Sequence, residues 1–243
     1  MTPTSLPVEP VRRRKLSEEI VERLQTMMLS GALKPDQLLP SERELMSMFG
    51  VGRTSVREAL FTLNRMGLVA VRNGERACVT RPSAKTVVDE LSGAVRHILA
   101  EPKGVRELQQ ARALFEAMLV RYAAVHADAD DLDRLKRALD ANRAAIGNLP
   151  AFTETDVAFH LVLAEIPRNS IFSSLHVALA AWLAQQRVVT LRAEGADRAA
   201  YEAHRAIYRA IGRKDPDAAE RAMRTHLRQV EDYYWQASQD GEK

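Results

Sequence analysis

Four side chains in the second half of the chain have the types and spacing of a metal site. Asp156 and His160 lie four residues apart, so that one face of a helix carries both, and His204 and His226 lie in two later segments among apolar neighbours. Three imidazoles and a carboxylate suit a zinc-like cation and leave positions for water or a ligand. The spacing is also compatible with hydrogen-bonded core histidines, which are the commoner case.

A second group of chemically active side chains lies between residues 40 and 68, where arginines accompany a pattern of two short helices. Ser41 and Glu44 have the spacing of a capping box at the start of the first helix, and Gly50 ends it. The second helix begins at Gly52 or Arg53 and buries residues that recur at helical spacing: Val56, Ala59, Leu60 and Leu63. Its opposite, N-terminal face carries the residues that can contact base edges and phosphates: Arg53, Thr54, Ser55 and Arg57.

The flanking segments supply the other elements of a DNA-binding domain. Residues 69–72 and 77–80 alternate like strands, and Asn73-Gly74 between them is a tight-turn signal. Upstream, a helix that begins at Ser17 has an apolar face, and residues 31–37 form a loop. An ordinary amphipathic helix pair with a solvated arginine face is the alternative. The order of the signals favours a winged helix-turn-helix that reads the DNA major groove.

These residues resemble a known family. The runs LPSEREL at 39–45 and VGRTSVREAL at 51–60 are similar to the DNA-binding domain of the GntR family of bacterial transcription regulators. The resemblance implies that the following residues contact DNA: Arg43, Arg53, Thr54, Ser55, Arg57 and, in the minor groove, Gly74 at the wing tip. Two positions depart from the family pattern, since Gly52 replaces the usual serine or threonine and Asn73-Gly74-Glu75 replaces the commoner glycine-rich wing tip.

Beyond the strand pattern, the chain has almost no strand signal and is predicted to form an all-helical bundle. Pro82 blocks continuation of the wing, so the domain boundary is expected at 80–83. Helices are predicted near 84–100, 105–126, 130–147, 151–165, 169–192, 197–212 and 216–238. Neither a phosphate-binding glycine loop nor a serine nucleophile elbow is present in the sequence.

The helical half resembles the FCD ligand domain, which defines the FadR-type branch of the GntR family. Its metal-binding set is matched by Asp156, His160, His204 and His226. The resemblance implies a Zn²⁺ or another divalent transition metal at the floor of a pocket, where a small carboxylate effector completes the coordination. Effector contacts are expected from Arg112, Glu116 and Asn169, and the other histidines are interpreted as structural: His97, His126 and His176.

Three further runs narrow the resemblance to the subfamily that controls N-acetylneuraminate (sialic acid) catabolism: NGERA at 73–77, LVRYAA at 119–124 and DVAFHLVLAEIPRNSIF at 156–172. The expected function is therefore a repressor whose operator binding responds to that sugar acid. Three alternatives stay open. They are a regulator of hexuronate, gluconate or lactate use, a regulator with a purely structural metal, and a metal-dependent hydrolase. No general base or oxyanion donor set accompanies the histidines, so we expect no enzyme activity.

Charge and composition agree with a cytoplasmic DNA-binding protein of two domains. Residues 1–82 carry 13 Lys+Arg against 9 Asp+Glu, whereas residues 83–243 carry 22 against 23. The predicted organisation is a flexible arm at 1–12, a DNA-binding domain at 13–82 and an effector-binding and dimerisation domain at 83–243. No signal peptide or membrane span is evident. One winged helix contacts one half-site, and regulators of this branch pair through their ligand domains, so we expect a homodimer on double-stranded operator DNA.

Overall fold

The computed structural model of the protein describes residues 15–71 and 75–240. These residues form two compact units, one that ends at Glu90 and one that begins at Leu91. The predicted arm at 1–12 and the wing-tip Gly74 lie outside the described residues. None of the described helices combines the length and the apolar character that a membrane span requires.

The first unit is a winged helix-turn-helix, as predicted. Its elements are α1 (Leu16–Leu29), α2 (Glu42–Phe49), α3 (Arg53–Arg65), β1 (Val69–Ala70) and β2 (Cys78–Val79). The apolar faces of the three helices meet in one core, in which Leu24, Leu45 and Leu63 are almost completely buried. This packing leaves the opposite face of α3 to solvent, which is the requirement for a helix that enters the major groove.

Local signals set the ends of α2 where the sequence predicts them. Ser41 caps the helix through its hydroxyl, which accepts a hydrogen bond from the Glu44 amide, and the Glu44 carboxylate accepts from the Ser41 amide at 2.7 Å. The Ser41 hydroxyl also donates to this carboxylate at 2.7 Å, and the two bonds from Ser41 lower the pKa of the Glu44 carboxyl. Gly50 ends the helix in the left-handed conformation, with a φ of 65° that favours glycine.

The wing strands are shorter than the alternation suggests. Each described strand has two residues, with Val69 opposite Val79 and Ala70 opposite Cys78. Strand β2 also pairs on its other side with the chain that precedes α2, since the Leu39 amide donates to the Ala77 carbonyl at 2.7 Å. The loop predicted before α2 therefore ends in a third, strand-like segment, because backbone groups beside a short strand need partners of their own.

The second unit is entirely helical in its described part, which confirms the predicted class. The helices are α4 (Ala84–Ile98), which begins in the first unit, α5 (Pro102–His126), α6 (Ala129–Ala144), α7 (Leu149–Glu165), α8 (Ser170–Trp182), α9 (Ala184–Leu191), α10 (Ala196–Gly212) and α11 (Pro216–Asp240). Helices α5, α6, α7, α10 and α11 share one core, in which Phe159, Ile207 and Met223 are completely buried.

The single helix predicted at 169–192 is wrong, because the chain leaves helical geometry at Leu183. This residue has a φ of −95° and a ψ of 17°, and it separates α8 from α9. The Arg187 guanidinium donates to the Ala180 carbonyl at 3.1 Å, so the break supplies a partner for a carbonyl near the end of α8. The same break directs Arg187 into the interior of the bundle.

The first unit extends past the expected boundary at 80–83. Ser83 caps α4 through its hydroxyl, but the first turns of that helix pack back on the DNA-binding unit. Thr86 lies against Gly67, where a Cβ would meet the Thr86 Cγ2 atom at 2.2 Å. Arg65 forms an ion pair with Glu90 at 3.0 Å. These contacts hold the start of α4 to the end of α3.

Candidate metal centre and nucleic-acid interface

The four side chains expected to bind metal converge inside the second unit. Helix α7 supplies Asp156 and His160, α10 supplies His204, and α11 supplies His226. All four are buried, and one ligand atom from each lies within 4.8 Å of the other three. Residues separated by up to 70 positions are thus brought to one point by the packing of three helices.

The spacing of three of these atoms fits a bound metal ion. Nε2 of His204 lies 3.2 Å from Nε2 of His160 and 3.5 Å from Oδ1 of Asp156. Ligands about 2.1 Å from a tetrahedral Zn²⁺ would stand roughly 3.4 Å apart. Nε2 of His226 is buried and has no hydrogen-bond partner among the described residues. A buried ring nitrogen needs a hydrogen-bond partner or a bound cation. A metal ion would supply that partner to Nε2 of His226, so the donor set fits a metal.

Burial keeps His204 and His226 in the neutral form that binds metal. It lowers the pKa of His226 to about 3, and burial together with His226 and His160 holds the pKa of His204 well below its ordinary value. Burial alone would raise the pKa of Asp156, but His160, His204 and Arg187 lower it, so this carboxylate is ionised. Neutral imidazoles and an ionised carboxylate are the states that coordinate a cation.

Two buried arginines lie beside the cluster. The Arg187 Nε donates to Oδ2 of Asp156 at 3.1 Å, and the Arg112 Nε donates to Oε1 of Glu116 at 2.6 Å. All four groups are less than a tenth exposed. The two guanidiniums balance the two carboxylates, so the cluster is neutral without a cation and doubly positive with a divalent one. Such a site favours an anionic ligand.

A cavity opens onto the cluster. Asp156 and His226 line it together with both arginines, Arg112 and Arg187. The other lining residues are Thr190, Leu191, Ala196, Ala200, Gln229, Val230 and Tyr233. The concavity contains about 400 Å³ of empty space including its mouth. The volume of the cavity itself is about 20 Å³. Its closed part therefore has room for about one water molecule.

The structure separates the three residues expected to contact the effector. Arg112 lines the cavity. Glu116 lies behind His160, where its Oε2 contacts the His160 Nδ1 atom, and it does not line the cavity. Asn169 is exposed and caps α8 by accepting from the Ile171 amide at 3.0 Å. Glu116 is held between Arg112 and His160, and the Asn169 amide is engaged at a helix terminus, so effector contact by these two residues stays a prediction.

Three buried residues near the cluster were not singled out from the sequence as site residues. Arg187 is one, and its signal is a lone cation in a largely apolar helix. Asn142 is another: its Oδ1 lies 3.0 Å from Nδ1 of His204, and it is completely buried. The ring of His176 stacks beside His160 with centroids 6.2 Å apart, and burial lowers the pKa of His176 to about 4. His176, which was interpreted from the sequence as structural, therefore lies at the wall of the site.

The candidate DNA-contacting residues lie on the predicted face of the first unit. The side chains of Arg53 and Arg57 are 69% and 70% exposed, one turn apart on α3. Arg43 and Thr54 are exposed, and Ser55 is half-buried. Glu42 lies 3.8 Å from the Arg53 Nε and 4.0 Å from the Arg57 Nε, so it holds both arginines on one side of the helix.

The N-terminus of α3 is uncapped by any side chain. Gly52 is the N-cap residue, and no side-chain hydrogen bond satisfies the first turn. A serine or threonine here would occupy one of those amides. With glycine, the amides of the first turn are open to an anion such as a DNA phosphate.

Comparisons with known families and proteins agree with this arrangement. Residues 16–79 match the family of bacterial regulatory proteins described as gntR, and residues 107–229 match the FCD domain. The HTH-type transcriptional repressor NanR of Cronobacter sakazakii is 48% identical over 228 residues, which is 93% of this chain and 88% of the relative. The repressor of the same name from Escherichia coli K12 is 48% identical over 223 residues, or 91% of this chain and 85% of the relative.

A solved structure shares the overall fold. The GntR protein of Streptococcus agalactiae is 26% identical and superposes with a TM-score of 0.61, over 88% of this chain and 98% of its own. These relatives are transcription regulators.

Proposed function

Because this chain belongs to the GntR family of transcription regulators and carries an FCD domain, we propose that it represses sialic acid catabolism genes and changes its operator binding when N-acetylneuraminate binds. Like its repressor relatives, the chain is a DNA-binding regulator and not an enzyme. The proposal therefore concerns the effector, the cation, the oligomer and the cytoplasmic location where operator DNA is found.

One observation carries the proposal. The cavity that is lined by Arg112 and Arg187 also contains Asp156 and His226, two of the four clustered ligands. A carboxylate that entered it would meet both guanidiniums and the open side of the cation site. Arginine forms strong charge-assisted hydrogen bonds with carboxylates, and a desolvated site strengthens them.

Zn²⁺ is the cation that the donor set suits best. His160, His204, His226 and Asp156 would hold it, and histidine nitrogens with a carboxylate oxygen are typical ligands of zinc, which can add a fifth ligand. When bound, the ion would supply a positive charge and a Lewis-acidic position for an effector oxygen.

Polar side chains elsewhere in the cavity favour a polyhydroxylated acid over a simple one. Thr190, Gln229 and Tyr233 offer hydroxyl and amide groups to ligand hydroxyls, whereas Ala196 and Ala200 present small apolar surfaces. The closed cavity is smaller than a sugar acid, so effector entry requires the lining helices to separate. A ligand that binds the open arrangement better than the closed one shifts the population toward it, which links the cavity to operator binding.

The second unit also has a surface suited to a second copy of the chain. Four large apolar side chains on α5 are 42–64% exposed at helical spacing: Leu114, Met118, Tyr122 and Val125. A stripe of this kind on a soluble helix marks an interaction surface, and a symmetric dimer would pair it with itself. The two recognition helices would then contact two related half-sites of the operator.

The experiment measures operator affinity at fixed salt, because phosphate contacts make DNA binding salt-dependent. Promoter DNA upstream of the sialic acid genes is titrated with the zinc-loaded chain alone and with N-acetylneuraminate, glucuronate, gluconate or lactate. We expect N-acetylneuraminate alone to change the affinity by about 5- to 150-fold. A response to one of the other acids would reassign the effector, and specific DNA binding with no response to any of them would refute effector control.

A further inference from the structure

Asn142 lies behind one of the proposed metal ligands, in a chain of hydrogen bonds that has a fixed direction. Its Oδ1 lies 3.0 Å from Nδ1 of His204, and its Nδ2 donates to the Thr155 hydroxyl at 3.1 Å. That hydroxyl lies 3.0 Å from the Ala151 carbonyl and 3.1 Å from the Phe152 carbonyl. Asn142 is uncharged and completely buried, so each of these contacts occurs away from solvent.

The position of each proton follows from these partners. Thr155 has a single hydroxyl proton, and in a helix it is donated to the carbonyl four residues earlier. The Thr155 oxygen must then accept from the Asn142 amide, which turns Oδ1 of Asn142 toward His204. Since Oδ1 can only accept, His204 carries its proton on Nδ1. Its Nε2 therefore presents a lone pair to the cluster.

His160 is held in the same way by a different group. Oε2 of Glu116 contacts Nδ1 of His160, while Arg112 donates to the other oxygen of Glu116. A buried carboxylate that is paired with a guanidinium accepts hydrogen bonds, so Glu116 is an acceptor toward His160. His160 then donates from Nδ1, and its Nε2 also faces the cluster, 3.2 Å from Nε2 of His204.

Two neutral rings in this state repel each other at that distance, because both nitrogens are acceptors and no hydrogen lies between them. We propose that Asn142 and Glu116 are positioning residues that fix His204 and His160 in the Nδ1–H tautomer and so present both Nε2 atoms to the cation. The inference rests on the proposed cation site. It extends that proposal by assigning a positioning role to two residues that do not bind the cation themselves. Such outer partners typically contribute 10- to 100-fold to metal affinity.

Asn142 provides the cleaner test because its replacement by leucine leaves no buried charge unpaired. Asn142→Leu has the same branched shape and lacks the acceptor, whereas Asn142→Asp keeps the acceptor and adds a negative charge. Gln109→Leu is the matched control, since Gln109 is also buried in the second unit but accepts from Trp235 Nε1 instead of a histidine. Zn²⁺ affinity is measured for the full-length chains by competition with a chromophoric chelator, and thermal unfolding checks that each metal-free variant folds.

We expect Asn142→Leu to lose about 10- to 100-fold in Zn²⁺ affinity, with Asn142→Asp and Gln109→Leu within about threefold of the wild type. Asn142→Leu that folds and binds Zn²⁺ like the wild type would overturn the inference. A wild-type chain that binds no Zn²⁺ would instead refute the proposed cation site itself.

A second measurement needs no variant. Long-range ¹H–¹⁵N correlations of the zinc-loaded wild type report which ring nitrogen of each histidine carries the proton. The expected spectrum has Nδ1–H and zinc-bound Nε2 for both His204 and His160. Zinc on Nδ1 of either ring would overturn the assignment for that ring, even if Asn142→Leu fails to fold.

Discussion

Replacement of Arg187 with Met is expected to destabilise the metal-free protein far more than an ordinary arginine substitution. Arg187 is 7% exposed and is an ion-pair partner of Asp156, and its other donor bonds the Ala180 carbonyl. Methionine fills comparable space but supplies no charge and no donor. The variant therefore leaves Asp156 with only weaker partners at the bottom of the cavity.

The magnitude follows from the burial of both partners. Removal of one member of a buried pair costs about 3 to 5 kcal/mol, because the remaining charge stays desolvated without compensation. The lost bond to Ala180 adds about 1 kcal/mol. Domains of this size have free energies of unfolding of about 5 to 15 kcal/mol, so the variant is expected to remain folded but with a much lower denaturation midpoint.

Zinc should reverse much of this loss. A cation beside Asp156 replaces the missing positive charge, and the repulsion between Arg187 and that cation is gone. Saturation at 100 times the dissociation constant stabilises a native protein by about 2.7 kcal/mol. We expect zinc to stabilise Arg187→Met by about 1 kcal/mol or more beyond its effect on the wild type at the same concentration.

Urea unfolding followed by tryptophan fluorescence isolates the relevant unit. Both tryptophans of the chain, Trp182 and Trp235, lie in the second unit, so their emission reports this helical bundle. Curves are recorded with chelator and with excess Zn²⁺ and are fitted by linear extrapolation.

Arg121→Met is the matched control. Its guanidinium is 47% exposed and is paired with Asp217 at 2.5 Å and with Glu220 at 3.0 Å on the surface, where such pairs contribute about 0 to 1 kcal/mol. The reasoning fails if both variants lose the same stability without metal, or if Zn²⁺ stabilises Arg187→Met no more than the wild type.

Three further sets of substitutions test the other parts of the proposal. Arg53→Ala or Arg57→Ala should each cost about 1 to 3 kcal/mol in operator discrimination with metal content unchanged, and gel shifts in which both variants distinguish operator from scrambled DNA as well as the wild type would contradict this. His204→Ala or His226→Ala should remove bound metal, measured by atomic absorption, and blunt the response to N-acetylneuraminate; metal-free protein with full calorimetric affinity for that acid would separate the effector from the ion. Met118→Glu should shift the sedimentation coefficient from dimer to monomer at micromolar concentration, because it buries a charge on each side of a symmetric contact, and an unchanged dimer would exclude the α5 stripe.

The elements that could be predicted from sequence are those whose signals are local. The capping box of Ser41 and Glu44 and the left-handed Gly50 depend on neighbours within four residues, and the structure places both as expected. Asp156 and His160 share a helix face for the same reason. The convergence of the remaining ligands was suggested by a family resemblance, since their spacing does not determine how three helices pack.

The features that escaped prediction depend on partners far along the chain. Asn142 meets His204 across 62 positions, and Arg187 meets Asp156 across 31. Nothing near Asn142 distinguishes it from a surface side chain, and the lone cation at position 187 does not reveal its distant partner. The helix break at Leu183 also escaped prediction, because the segment around it has continuous helical character in the sequence; in the structure, Arg187 beyond the break contacts Ala180 and Asp156.

The start of α4 determines where the DNA-reading unit can be separated from the chain. A fragment that ends at Pro82 would lack the helix cap at Ser83, the Thr86 methyl that covers Gly67 and the Glu90 partner of Arg65. One that continues through Glu90 would keep all three. Chimeric regulators that exchange DNA-binding units should therefore be joined within α4, after Glu90 and in helical phase. A junction at Pro82, which marks the end of the wing in the sequence, would remove these contacts.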